Sequence, residues 1–118
     1  MALPNLNAPT KVEGKNASLA ITTTPTAIIS NAAASGKTLR VNILFVANID
    51  GASAADVTID IYDGTTPYAM VSTVSVPADA TLDIIGERPL YVMEGQSLRL
   101  TASADGDLEA VCSYEEIS

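Results

Sequence analysis

A chain of 118 residues, 47% of them hydrophobic, is long enough for one domain with a real core and too apolar to be disordered. Its formal charge of −8 repels nucleic-acid phosphate and argues against DNA or RNA as a partner. There is no histidine and Cys112 is the single cysteine, which removes the usual acid-base triads, thiolate zinc sites and internal disulfides.

Residues 1–16 open with Pro4, Pro9, Asn5 and Asn7, a composition that favours an extended arm over a helix or a central strand. The segment carries no basic n-region followed by an apolar run, so it does not read as a signal peptide, and the expectation is synthesis in a cytoplasm. No stretch approaches the length of a membrane-spanning helix, and no membrane partner is expected. Leu3 and Leu6 stand on the arm as apolar contact residues, joined by the cations Lys11 and Lys15.

From residue 17 to residue 118 the dominant signal is alternation with period two, the mark of half-buried antiparallel strands. Ala17-Leu19-Ile21 and Ala27-Ile28-Ile29 come first. Leu39, Val41, Ile43, Phe45 and Ala47 then share one face of a long strand. Leu44 and Val46 fall on the opposite face, so this strand is expected to be covered on both sides or to lie at a contact, and these two residues join the candidate interface. Val57-Ile59-Ile61 alternates cleanly with Asp56, Thr58 and Asp60, and Tyr68, Met70, Val74 and Val76 continue the pattern. Leu82-Ile84, Leu90-Val92, Leu98-Leu100-Ala102 and Leu108-Ala110-Cys112-Tyr114 complete eight or nine short strands. Asp50-Gly51, Asp63-Gly64 and Asp105-Gly106 are turn pairs between them, and no amphipathic helix is visible. The expected fold is therefore all-β: an antiparallel sandwich, jelly-roll or Greek-key-like, over residues 17–118.

Motifs with chemical meaning are sparse. Gly36-Lys37-Thr38 has the tail of a phosphate loop but lacks its first glycine, Asn31 standing there, and a strand follows in place of a helix. Asp50 with Asp56, Asp60 with Asp63, and Asp105-Asp107-Glu109 match no calcium loop and read as solvated turns and strand faces. Cys112, in phase with Ala110 and Tyr114, reads as a core residue. No catalytic, cofactor or metal residue is assigned, and no enzyme is expected. Tyr62, Tyr68 and Tyr91 leave open a carbohydrate- or cell-surface-binding module that stacks sugars.

Charge is unevenly laid out. Residues 1–40 carry a balance of +3 and residues 41–118 one of −11, so the N-terminal cations either pair with the acidic body of their own chain or reach a neighbour.

The stretch Glu94-Gly95-Gln96-Ser97-Leu98-Arg99-Leu100-Thr101-Ala102-Ser103, taken together with the closing Ser113-Tyr114-Glu115-Glu116-Ile117-Ser118, resembles small virion proteins of tailed bacteriophages. The resemblance extends loosely back to Leu39. It implies a β-sandwich building block without catalytic residues, located in the virion as a head-decorating cement protein or a neck or tail accessory. The expected partners are further copies, as a homotrimer or higher ring, and a major capsid or neck/tail protein.

Overall fold

The computed structural model describes residues 3–118, and among them there are nine strands and no helix. The strands are β1 (Val12–Ala20), β2 (Thr26–Ser30), β3 (Thr38–Asn48), β4 (Ala55–Tyr62), β5 (Pro67–Val76), β6 (Thr81–Asp83), β7 (Leu90–Val92), β8 (Ser97–Ala102) and β9 (Leu108–Ile117). They form two antiparallel sheets. Sheet A has the order β1-β9-β3-β6, with β7 pairing the same edge of β3 further along, and sheet B has the order β2-β8-β4-β5. The expected all-β sandwich is what the chain forms.

One core fills the space between the sheets. Sheet A contributes Leu39, Val41, Leu44, Val46, Val92, Leu108, Ala110 and Cys112, and sheet B contributes Ile29, Ala55, Val57, Ile59, Val76, Leu98, Leu100 and Ala102. Small aliphatic side chains suffice because both inner faces alternate strictly where it matters. Along β4 and β8, Val57, Ile59, Leu98 and Leu100 point inward while Asp56, Thr58, Arg99 and Thr101 point outward.

Three expectations are corrected. Ile43 and Phe45 do not continue the buried face of β3, because a bulge at Asn42 shifts the register between Val41 and Ile43 against β9. Since the side-chain period is two, one extra residue turns everything beyond it over. Leu44 and Val46 therefore lie in the core with no exposure, where they cannot serve as contact residues, and Ile43 and Phe45 emerge on the outside. In β5 the expected face is broken by two register shifts against β4 and by Thr73 at φ +47°, so only Val76 of its predicted set is buried. Lastly, β1 starts at Val12, so residues 12–16, assigned by composition to the arm, pair residue by residue with β9.

Two asparagines tie the loops at opposite ends of the sandwich. Asn31 Nδ2 donates to the carbonyls of Lys37 and Val92 at 2.8 and 3.1 Å, holding the β2–β3 loop against the end of β7. Asn48, at the end of β3, donates from Nδ2 to the carbonyls of Ser53 and Val76, both at 2.9 Å, and accepts from the Asp50 amide at 2.9 Å. Both side chains are buried, and neither was marked out by sequence reasoning. At the Asn48 end the loops after β1, β3, β5 and β8 meet, with Thr23 N donating to Asp105 Oδ1 and Asp79 N to the Asp50 carbonyl. These loops hold Asp50, Asp79, Asp105 and Asp107 and no base, whereas Lys11, Lys15 and Lys37 lie toward the other end.

Candidate functional site

The two outer faces differ in kind. On sheet B, the Arg99 guanidinium grips the Asp60 carboxylate of the adjacent strand through Nε at 2.9 Å and Nη2 at 3.2 Å. The same guanidinium lies 4.0 Å from the centre of the Tyr62 ring, whose hydroxyl donates to the Gly64 carbonyl at 3.0 Å. Around this knot stand Thr58, Ser97 and Thr101. The charged and phenolic groups of this knot are paired within the chain.

Exposed apolar groups occur on both sheets: sheet B exposes Tyr68, Met70 and Val74 on its edge strand β5, and sheet A exposes a group on its two central strands. In register, Phe45 sits directly opposite Val111 and Ile43 opposite Ser113, so Ile43, Phe45 and Val111 form one patch, exposed by 40%, 38% and 50%. The chain's single phenylalanine is thus spent on the surface. Beside the patch, a shallow groove of about 330 Å³ runs over β1 and β9, lined by Ser18, Leu19, Ala20, Glu109, Ala110 and Val111. One end of the patch is bounded by polar groups: Arg40 binds Glu115, its partner across the strands, through Nε at 2.9 Å, and Asn42 Nδ2 donates to the same carboxylate at 3.0 Å. Asp83 and Tyr91 bound it on the β6 and β7 side, in register with Phe45 and Arg40. Ile43, Phe45 and Val111 thus make a small apolar patch with a polar rim.

Of the residues predicted for contacts, Leu3 and Leu6 are exposed on the arm, by 48% and 49%. Lys11 pairs with Glu13 at 3.0 Å. Lys15 and Lys37 converge on Glu116, the former at 2.8 Å. The N-terminal cations therefore serve their own chain, and the paired glutamates of the closing segment are their acceptors. The structure does not bring Leu3, Leu6 or Lys11 together with Leu44 and Val46. Sequence reasoning missed Ile43, Phe45 and Val111 as surface residues. The signal lay in β3, which is apolar in both phases around a lone Asn42.

These ion pairs set an acid limit on the fold. Hydrogen bonds first from Lys15 and then from Lys37 hold the Glu116 carboxyl below its ordinary range, and those from Asn42 and Arg40 do the same for Glu115. Carboxylates more acidic in the folded chain stabilise it above their unfolded pKa, near 4.3, and that stabilisation is lost as pH falls through the folded values. The thermal midpoint is expected to hold between about pH 8 and 5.5 and to drop below about pH 4.5. A Glu115→Gln/Glu116→Gln variant should lose part of that drop, and scanning calorimetry across pH tests it.

Cys112 has no exposure, and burial pushes its thiol up to about 11. A buried, protonated thiol is a poor nucleophile. A thiol reagent at pH 8 is expected to leave the native chain unmodified and to label it fully in denaturant, as read by intact mass. The tyrosines share no platform: Tyr62 belongs to the outer face of sheet B, Tyr68 to the edge strand β5, and Tyr91 to the outer face of sheet A. Tyr114 packs partly against the core. Among the described residues no group of three or more acids or Cys112 converges at metal-binding range.

Comparison with known proteins bears on the fold. No family model and no curated protein sequence matches the chain. A chain from the acidic stable capsid structure of Helicobacter pylori bacteriophage KHP30 superposes with a TM-score of 0.58 over 94% of this chain and 90% of its own, at 8% identity. At that identity the likeness concerns the fold alone, and it runs nearly end to end. A pentameric capsid protein isolated from metagenomic phage sequences matches 86% of this chain and 60% of its own, at 18% identity and a TM-score of 0.45.

Proposed function

We propose that the chain is a non-enzymatic structural component of a tailed-phage virion, a capsid decoration or cement protein that associates with its own kind and binds the particle surface. The observation that carries this reading is the near full-length likeness of the fold to a chain of a phage capsid structure. The strand order β1-β9-β3-β6 over β2-β8-β4-β5 reads as a jelly roll, an architecture used by capsid subunits. Two further features support it. The sequence offers no histidine and its only thiol is buried, which leaves little for catalysis, while one outer face carries a rimmed apolar patch. The acidic surface elsewhere suits a subunit that stays soluble until it assembles.

The test is protein quantification by mass spectrometry in purified particles of the phage that encodes the chain, with heads and tails separated. The reading predicts a fixed copy number in the head fraction, on the scale of the major capsid protein. Recovery in the tail or neck fraction would move the chain to a tail accessory role. Absence from both fractions overturns the virion reading.

A further inference from the structure

The apolar patch on sheet A is small. Ile43, Phe45 and Val111, exposed by 40%, 38% and 50%, offer on the order of 250 Å² together, against roughly 800 Å² per partner in a standard protein interface. An area of that size suits a short segment of chain better than a whole domain face. At its centre the patch is uncharged, so the segment should be apolar and uncharged as well.

Residues 3–10 meet both conditions. They include no acid or base, and Leu3 and Leu6 leave about half of their surface open, at 48% and 49% exposed. As folded, the arm does not cover the patch on its own molecule, where Ile43, Phe45 and Val111 stay exposed. Its base is held at the C-terminal end of β9, where the Thr10 and Lys11 amides donate to the Ser118 carbonyl at 2.7 and 3.0 Å. Val111 lies seven residues back along the chain, roughly 24 Å away at strand spacing. Between Thr10 and Leu3 the arm has about that length only if fully extended. A turn closed by the Ala8 amide on the Asn5 carbonyl at 3.0 Å, with the Asn7 amide on Asn5 Oδ1 at 3.0 Å, shortens it.

We infer that the arm of one copy lies across the outer face of sheet A of a second copy, with Leu3 and Leu6 against Ile43, Phe45 and Val111. The contact joins unlike surfaces, so each copy gives an arm and receives one, and repetition closes a ring or continues along a surface. This deepens the virion reading and rests on it for its biological setting, while the contact itself is a property of the purified chain.

The experiment mixes two variants. Leu3→Asp/Leu6→Asp has a disabled arm and an intact face, and Phe45→Glu/Val111→Glu has the reverse. Every altered side chain is exposed, and circular dichroism verifies the fold. A milder pair, Leu3→Ser/Leu6→Ser and Val111→Ser, serves should either acidic variant misfold. Mass in solution is read by light scattering at chain concentrations up to about 1 mM. The expected result is a wild-type chain that associates, two variants that are each monomeric alone, and a mixture that forms a complex of two chains and nothing larger. An arm variant that associates like wild type, a mixture that stays monomeric, or a wild-type chain that never associates overturns the inference. None of these outcomes depends on where the protein sits in a particle, so the two readings fail separately.

Discussion

Leu44→Ala is expected to cost about 2–5 kcal/mol of folding stability, while Phe45→Ala, one residue on, costs less than about 1 kcal/mol. Leu44 has no exposure and packs in the single core, so shortening it removes transfer energy and leaves a cavity in a close-packed interior. Phe45 stands on the outside beside Val111, where truncation opens no cavity. For a domain with a stability of some 5–15 kcal/mol, the first loss is a large part of the total. Urea denaturation of both variants, with unchanged slopes, measures it. The opposite ranking would mean that β3 keeps its alternation unbroken through residue 42 and that Phe45 belongs to the interior.

Asn48→Leu should be nearly as damaging, about 2–4 kcal/mol, although the two side chains are close in size. The amide of Asn48 supplies the hydrogen bonds to the Ser53 and Val76 carbonyls and accepts one from the Asp50 amide. Leucine at this buried position would leave those backbone groups without partners, and each unpaired buried group costs roughly 1–3 kcal/mol. The loss should also loosen the acidic end, because the Asp50 loop is bonded to Asp79. Denaturant midpoints read the stability, and faster amide exchange at Asp50 reads the loosening. A variant within about 0.5 kcal/mol of wild type would show that water replaces the side chain at no cost.

The strands were legible wherever one face is polar. Along β4, β8 and β9, the aliphatic residues alternate with Asp, Thr, Arg and Glu, and the buried and exposed faces follow. β3 was not legible in its second half, because Ile43, Leu44, Phe45 and Val46 fit either face equally well and a bulge leaves no mark in hydropathy. Only the packing against β9 decides the matter. The same limit hid the patch. An apolar surface residue and a core residue look alike in a strand that is apolar on both sides. β1 was hidden for another reason: Glu13 and Lys15 lie opposite Glu116 and Tyr114 on the inner side, where polar residues are least expected. The pairing of Lys15 with Glu116 explains how they are tolerated there. The charge layout, by contrast, was readable from composition. The surplus of cations before residue 41 and the two closing glutamates meet as Lys15, Lys37 and Arg40 on Glu116 and Glu115.

In the proposed role, contact is made through sheet A, whose central strands leave Ile43, Phe45 and Val111 exposed. The measurement that tests this most directly is add-back binding. Purified protein is titrated onto particles assembled without it, the particles are sedimented, and the bound copies are counted. Saturable binding at a repeated set of sites is expected, with a plateau proportional to the number of capsid subunits. Failure to sediment with the particles at any concentration would contradict it.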